Sequence, residues 1–151
     1  MTLLPTQLEI GIASHDSALY RQAVALRYEV LRRPLGLDFS NAQLAAESGE
    51  LHLVGLQSGA VVVCLSLQYS GADKFKMRQV AVLPALQGQG LGSALCLYAE
   101  KLALAQGKMQ IYCHARQTAV AFYTRLGYEC IGESFEEVGL PHYLMRKYLA
   151  D

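Results

Sequence analysis

Three glycines fall within five residues of the segment Gln87 to Ser93, which reads QGQGLGS. The segment follows an apolar stretch that ends at Pro84, and it precedes apolar residues at helical spacing. A strand that enters a helix through a glycine-rich turn leaves several backbone N–H groups without partners, at the positive end of the helix dipole. Such a turn favours the binding of a phosphate group.

Three known phosphate-binding patterns can be compared with this turn. The alternative is a plain tight turn without a ligand, which an isolated glycine trio usually forms. A P-loop requires Gly-Lys followed by Ser or Thr, and the turn contains no lysine. A dinucleotide fingerprint requires G-x-G-x-x-G and an acidic residue about twenty positions later. Gly88 and Gly90 fit it, but Ser93 replaces the third glycine and no acid follows at that distance. The third pattern, Q/R-x-x-G-x-G, is matched from Gln87 to Gly92.

Two neighbouring motifs accompany the third pattern. The segment RQVAVLP precedes it as a predicted strand, and AVAFYTRLGY follows the next predicted strand as a helix and turn. With these motifs in this order, the chain resembles the GNAT superfamily of coenzyme A-dependent N-acetyltransferases, firmly from Arg78 to Tyr128. The segments LRYEVLRRPLG and FEEVGLPHYLM extend the resemblance more loosely over the chain, and the latter is similar to small bacterial members.

The resemblance implies an α/β fold in a single domain over residues 1–151. Its mixed, mostly antiparallel sheet would have six or seven strands, splayed between the fourth and fifth, with about four flanking helices. It also implies acetyl-CoA as co-substrate. The activity would be transfer of acetyl to a primary amine of a small molecule, by direct attack in a ternary complex. A peptide acceptor, or a non-catalytic acyl-CoA sensor of the same fold, is the alternative.

The resemblance assigns residues to each part of acetyl-CoA. Backbone N–H groups from Gln87 to Gly92 would hold the pyrophosphate, where glycines keep Cβ atoms away. The backbones of Val80 and Val82 would pair with the pantetheine arm as an added strand, and one of their N–H groups would stabilise the oxyanion. The predicted cofactor-binding set is Val80, Ala81, Val82, Gln87, Gly88, Gln89, Gly90, Leu91, Gly92, Ser93, Arg116, Phe122 and Tyr123.

Two of these residues have open alternatives. Many family members carry an asparagine where this chain has Arg116, so Arg116 either approaches a CoA phosphate or is solvated. Tyr123 stands where the family pattern places a tyrosine near the thioester sulfur. A phenol of pKa about 10 can donate to a thiolate whose thiol has a pKa of about 8.5. The alternative is that Tyr123 only packs beside Phe122.

A group is also needed to take the proton of the amine. The resemblance places the ends of the fifth strand and of the last two strands around the acceptor. It makes His142, Glu137, His114 and Glu133 the candidates. His142 is the first choice, because an unperturbed imidazole has a pKa of about 6.5. Glu137 is the second catalytic candidate, and His114 is also predicted to bind substrate. Each is otherwise a solvated charge or a hydrogen-bonded histidine at a strand end.

The acceptor side offers basic residues. Arg27, Arg32 and Arg33 precede a turn at Pro34 that borders the acceptor groove in the family. Arg27 is the predicted substrate-binding residue of this group, since a guanidinium can hold a carboxylate or phosphate. The alternative is that these cations solvate a helix end.

The composition excludes several classes. Thirteen basic and thirteen acidic residues cancel, which argues against nucleic-acid and membrane partners. The first dozen residues lack a signal-peptide pattern, so we expect a cytoplasmic protein.

The spacing of the four cysteines predicts buried thiols and no metal site. Only Cys113 is a candidate for an acyl-enzyme, and no His-Asp pairing supports it. The sequence leaves open whether the protein forms a homodimer.

Periodicity and turn residues predict the elements that position these groups. The expected order is β-α-(α)-β-β-β-α-β-α-β-β. The strands are predicted at 8–12, 51–57, 60–69, 74–83, 109–114, 128–132 and 142–148, and the helices at 19–30, 41–47, 91–106 and 119–126. Ser58-Gly59 is the predicted hairpin turn, and Gly107 and Gly127 are the predicted helix stops.

Overall fold

The structure is a computed structural model that describes residues 2–3, through their backbone, and residues 7–150. The described residues contain four α-helices: α1 (Ala18–Arg27), α2 (Asn41–Ala45), α3 (Leu91–Ala105) and α4 (Val120–Arg125). They also contain eight strands: β1 (Thr2–Leu3), β2 (Glu9–Ala13), β3 (Leu51–Gln57), β4 (Ala60–Tyr69), β5 (Lys74–Val82), β6 (Gln110–Arg116), β7 (Glu129–Glu137) and β8 (Leu140–Tyr148).

The chain divides into two compact units. The first comprises residues 1–68 and 79–99, and the second comprises residues 69–78 and 100–151. The strand order is β1-β2-β3-β4-β5 in the first unit and β5-β6-β8-β7 in the second, since β5 contributes to both. β5 and β6 are parallel, whereas the pairs β1–β2, β2–β3, β3–β4, β6–β8 and β7–β8 are antiparallel. The predicted α/β fold with a mixed, mostly antiparallel sheet is confirmed; the single domain over residues 1–151 stays a prediction.

Local sequence signals set the element boundaries of the first unit. Ser17 caps α1 by accepting a hydrogen bond from the N–H of Tyr20. Ser40 and Gln43 form a reciprocal capping box at the start of α2. The turn between β3 and β4 has φ values of +50° at Ser58 and +81° at Gly59, as a two-residue hairpin turn with two left-handed residues requires.

The two glycine helix stops lie in the second unit and use one motif. Gly107 has φ +76°, its N–H donates to the Leu104 carbonyl at 3.0 Å, and the Lys108 N–H donates to the Ala103 carbonyl at 2.9 Å. Gly127, with φ +95°, ends α4 through the same pair of bonds. Both are Schellman motifs, in which glycine adopts the left-handed conformation that terminates a helix. Both predicted stops are confirmed.

The core of the first unit forms where α1 packs on the central strands. Tyr20, Ala23 and Leu26 of α1 are buried together with Val54 of β3 and Cys64 of β4. Of the four cysteines predicted to be buried, Cys64, Cys96 and Cys113 are buried. Cys130 is exposed, because its strand β7 ends the strand order and is mostly exposed.

Gly55 of β3 marks the tightest backbone approach in this core. A Cβ atom at Gly55 would lie 2.5 Å from Val63 Cγ1 and 2.9 Å from Leu8 Cδ1. Gly49, in the same unit, has open space around its Cβ position and no left-handed φ. We predict that Gly55→Ala lowers the free energy of unfolding by about 1–3 kcal/mol through overpacking.

The measurement is urea denaturation of wild type, Gly55→Ala and Gly49→Ala. The Gly49→Ala control is expected to unfold within about 0.5 kcal/mol of wild type, as an uncrowded surface substitution does. Equal midpoints for the two variants would contradict the role given to Gly55.

Candidate active site

The turn between β5 and α3 lies in the first unit and contains unpaired backbone donors. The first hydrogen bond into the helix is donated by the Ala94 N–H to the Gly90 carbonyl, at 3.0 Å. Within the described part of the chain, no residue accepts a hydrogen bond from the N–H groups of Gly88 through Ser93. The Gln87 N–H, by contrast, donates to the Pro84 carbonyl at 3.3 Å. The available donors are therefore those of residues 88–93, shifted by one from the predicted 87–92.

Glycine is required in this turn by backbone conformation. Gly88 has φ +79° and Gly90 has φ +83°, values that strain any residue with a side chain. A Cβ atom at either position would meet no atom within 4 Å, so the space beside both residues is open. Gly92 lies inside α3 and is not left-handed. Open space beside unpaired amides fits an anionic group such as a pyrophosphate.

The side chain of Gln87 contributes to the shape of the turn. Its Nε2 donates to the Val82 carbonyl at the end of β5, at 3.1 Å. The pattern Q/R-x-x-G-x-G thus has a structural explanation at its first position, because the Gln87 amide connects the turn to the preceding strand. The sequence pattern alone did not distinguish this contact from a ligand contact.

β5 carries a backbone irregularity before the residues predicted to bind pantetheine. Its parallel pairing with β6 runs from Lys74 to Met77, whereas β5 itself continues to Val82. Gln79 has φ +58°, a left-handed value that interrupts a regular strand. The side chain of Ala81 is buried, whereas Val80 and Val82 are half-buried. The end of the pairing agrees with the predicted splay.

Tyr123 is buried on α4 in the second unit. Its ring makes edge-to-face contacts with Phe122, at a centroid distance of 5.0 Å, and with Tyr128, at 5.7 Å. Tyr123 therefore packs beside Phe122, which is the alternative role that the sequence predicts for it. These contacts fix the position of the ring. A side chain that donates a hydrogen bond to a reacting atom also needs a fixed position.

The second unit brings three of the predicted acid-base candidates together. His114 of β6 lies with its Nδ1 3.0 Å from Glu137 Oε1, and His142 of β8 has its Nε2 3.7 Å from Glu137 Oε2. Phe135 lies beside both imidazoles: it contacts His114 edge-on at a centroid distance of 5.0 Å and stacks on His142 at 6.0 Å. Glu133, the fourth candidate, is exposed on β7 and makes none of these contacts.

A bulge in β7 explains why sequence missed Phe135. The register between β7 and β8 shifts between Ile131 and Phe135, after which Phe135 pairs with His142. The predicted strand ended at Gly132, where the alternation of polar and apolar residues breaks. The bulge lets the strand continue to Glu137, and so it places Phe135 and Glu137 beside the two histidines.

Glu137 is the electrostatic centre of this cluster. Burial opposes its ionisation, but the hydrogen bond from His114 and the electrostatic effects of His114, His142 and Lys76 outweigh burial and hold the pKa of Glu137 below its usual value. Glu137 is therefore a carboxylate at neutral pH, which only accepts hydrogen bonds.

His142 is more enclosed than sequence indicated. Its side chain is 4% exposed, and its Nδ1–H donates to the Leu140 carbonyl at 2.9 Å. Arg116, predicted to lie near the cofactor, is half-exposed at the end of β6 and pairs in register with His142.

The prediction that Arg27 binds substrate is corrected by the structure. Arg27 is 1% exposed, and its two terminal nitrogens donate to the two Glu47 oxygens at 2.9 and 2.7 Å. Tyr20 donates to the same carboxylate at 2.7 Å. Arg27 is therefore part of a buried ion pair, a structural role. The other two arginines pack or pair locally, with Arg32 over the Phe39 ring and Arg33 beside Glu29.

No helix in the described ranges, 2–3 and 7–150, is long and apolar enough to cross a membrane. Within the same ranges, no cluster of three or more His, Cys, Asp or Glu side chains is arranged to hold a metal ion.

Comparison with known proteins identifies the class. Residues 29–149 match the family model described as an acetyltransferase (GNAT) domain. The chain therefore belongs to the GNAT acetyltransferase family, and it is an acetyl-CoA-dependent N-acetyltransferase.

One curated relative and two solved structures illustrate the similarity. The uncharacterized N-acetyltransferase YitI of Bacillus subtilis is 23% identical over 126 residues, which cover 80% of this chain and 85% of YitI. A crystal structure from Lactobacillus plantarum, designated an N-acetyltransferase, superposes with a TM-score of 0.83 at 25% identity, covering 95% of this chain and 99% of that one. An aminoglycoside 6′-N-acetyltransferase complexed with coenzyme A has a TM-score of 0.75 at 14% identity, with coverages of 95% and 98%.

The left-handed turn glycines generate a binding prediction with a matched control. Gly90→Ala places a side chain at φ +83° beside the unpaired amides, whereas Gly71→Ala places one at φ +80° in a separate turn, and both positions are uncrowded. Each substitution should cost about 1–2 kcal/mol of stability through the same strain. We expect only Gly90→Ala to reduce the rise in melting temperature that acetyl-CoA produces, because ligand stabilisation depends on affinity.

The measurement is thermal denaturation of each variant with and without acetyl-CoA. The melting temperature with acetyl-CoA is compared with that of the same variant without it. Equal acetyl-CoA shifts for Gly90→Ala and Gly71→Ala would contradict the assignment of the turn.

The buried ion pair generates a stability prediction. Glu47→Gln removes the charge that Arg27 pairs with in the core, so the free energy of unfolding should fall by about 3–5 kcal/mol. The control is Glu29→Gln, which breaks the exposed pair with Arg33 and should cost at most about 1 kcal/mol. Urea denaturation measures both, and a Glu47→Gln variant as stable as Glu29→Gln would show that the buried pair does not hold the core.

Proposed function

We propose that this protein transfers the acetyl group of acetyl-CoA to a primary amine of a small molecule, by direct attack within a ternary complex. The observation that carries the proposal is the set of unpaired N–H groups from Gly88 to Ser93, beside open space. Membership of the GNAT family supports it. An aminoglycoside, on which one enzyme of this fold acts, is a small-molecule amine of the proposed kind.

The proposed cofactor contacts are mainly backbone contacts. The amides of Gly88 through Ser93 hold the pyrophosphate, and the backbones of Val80 and Val82 pair with the pantetheine arm while buried Ala81 fixes the strand between them. Acetyl-CoA supplies an activated acetyl group as its thioester. Arg116 and Phe122 complete the proposed set. Backbone recognition of this kind tolerates most side-chain changes, apart from those at left-handed glycines.

Tyr123 is the proposed acid. Its phenol donates a hydrogen bond or proton to the sulfur of coenzyme A as this leaves, so that negative charge does not accumulate on the sulfur. The ring contacts with Phe122 and Tyr128 support a fixed donor position. The proton of the amine passes to a base in the cluster of His114, Glu137 and His142.

The chemistry of the buried thiols favours direct transfer over an acyl-enzyme. Burial raises the pKa of the Cys113 thiol to about 12, with the neighbouring Cys130 adding to the effect. Burial likewise raises the pKa of the Cys64 thiol to about 12. Both residues are therefore protonated thiols at neutral pH, and a protonated thiol is a poor nucleophile.

The test is a thiol-release assay with acetyl-CoA and a panel of amines, namely spermidine, tryptamine, lysine, kanamycin and a lysine-containing peptide. Release with a small amine and a mass gain of one acetyl group on that amine is the expected result. Turnover with the peptide alone would indicate a peptide acetyltransferase. Tight binding of acetyl-CoA without release would indicate the sensor. A homodimer and a cytoplasmic location stay predictions.

The role of Tyr123 gives a specific kinetic prediction. Tyr123→Phe should lower kcat by about 10²-fold, the lower range for loss of a general acid, while the affinity for acetyl-CoA stays near that of wild type. Tyr148→Phe removes a hydroxyl from an exposed tyrosine of β8 and should leave kcat unchanged. A kcat of Tyr123→Phe equal to that of the control would remove Tyr123 from the mechanism.

A further inference from the structure

We infer that His114 is the group that takes the proton of the acceptor amine, through Nε2, and that Glu137 is the positioning residue that sets its tautomer. This inference rests on the proposed function and deepens it by choosing among the three clustered residues. It reverses the order that sequence favoured, in which His142 came first and His114 was a substrate contact.

The tautomer of His114 follows from its partner. Glu137 is a carboxylate, so it can only accept the hydrogen bond that joins its Oε1 to His114 Nδ1 at 3.0 Å. The hydrogen must therefore be on Nδ1. In the neutral ring, the lone pair then lies on Nε2. No residue within the described ranges hydrogen-bonds Nε2 of His114.

His142 lacks an available nitrogen. Its Nδ1–H is used by the Leu140 carbonyl, and its Nε2 lies 3.7 Å from Glu137 Oε2. Its side chain is 4% exposed, against 28% for that of His114. An amine therefore reaches His114 with less rearrangement than it needs to reach His142. His142 instead lies beside Glu137, where it is one of the groups that lower the pKa of that carboxyl.

The neighbouring strands hold the His114 ring in place. Phe135 contacts it edge-on at a centroid distance of 5.0 Å, and Tyr112 lies beside it at 6.4 Å. The charged groups that face Glu137 are His114 from β6, His142 from β8 and Lys76 from β5. Together with the hydrogen bond from His114, these groups lower the pKa of Glu137, so the carboxylate retains its charge and keeps accepting from His114. A carboxylate that orients an imidazole in this way is the arrangement of acid-base dyads in other enzymes.

The proposed step balances. An N–H bond of the acceptor ammonium breaks, the proton goes to His114 Nε2, and the electron pair stays on the amine nitrogen. That nitrogen then bonds to the acetyl carbon as the carbon–sulfur bond breaks, and the sulfur receives the proton of Tyr123. A second N–H bond of the nitrogen breaks to give the neutral amide, and this proton passes through water to the Tyr123 phenolate, which restores the phenol. The imidazolium of His114 releases its proton to water, and the Glu137 carboxylate stabilises the imidazolium meanwhile.

The experiment compares variants with the best amine of the thiol-release panel, over a range of pH. His114→Ala should lower kcat/KM by about 10²-fold, and added imidazole should restore part of that loss. His142→Ala and Tyr123→Phe should show no rescue by imidazole. Glu137→Gln should lower kcat/KM and move the acidic limb of the profile to lower pH, because the imidazolium loses its partner. Glu136→Gln, on the adjacent exposed residue of β7, is the matched control and should behave as wild type.

A second readout does not depend on turnover. Long-range nitrogen–proton NMR on protein labelled at histidine should show hydrogen on Nδ1 and none on Nε2 of neutral His114, with the distinction weakened in Glu137→Gln. A hydrogen on Nε2 in wild type, or an active His114→Ala without imidazole, would overturn the inference while leaving acetyl transfer intact. Failure of wild type to acetylate any panel amine would overturn the proposed function, and the role of His114 with it.

Discussion

The unpaired amides between β5 and α3 are the constraint on which the site depends. A helix leaves its first N–H groups without internal partners, and a group that no other residue satisfies requires solvent or a ligand. In this chain the shape of the turn is set by the left-handed Gly88 and Gly90, by the Gln87 side chain on the Val82 carbonyl, and by the 3₁₀ turn that begins at Pro84. Each of these features fixes the backbone conformation of the turn, and none of them fills the space beside the amides.

The proposed recognition of acetyl-CoA by backbone groups places few demands on side chains. The chain keeps a TM-score of 0.75 to a structure complexed with coenzyme A although only 14% of residues are identical. Main-chain donors are present whatever the side chain, so the sequence is constrained mainly where the backbone is left-handed or unusually close to a neighbour. Gly55, whose Cβ would lie 2.5 Å from Val63, is the corresponding constraint in the core.

Glu47 and Glu137 differ in how deeply they are buried, and the difference corresponds to a structural role for one and a chemical role for the other. Glu47 is enclosed with Arg27 and Tyr20, and both of its oxygens accept hydrogen bonds from these buried side chains. Glu137 is partly exposed, and its partners are the imidazoles of His114 and His142. The first carboxylate stabilises a fold, and the second sets the protonation of a neighbour.

The sequence by itself determined those features that depend on a few adjacent residues. The turn at Ser58-Gly59, the helix stops at Gly107 and Gly127 and the glycine turn before α3 were all predicted, because each requires a backbone conformation that its own residues encode. The tertiary structure decided which distant side chains meet. It paired Arg27 with Glu47, exposed Cys130 on a terminal strand, and carried Glu137 through a bulge to His114. Contacts between residues 20 or more positions apart depend on strand register and burial, which the composition of any single segment does not specify.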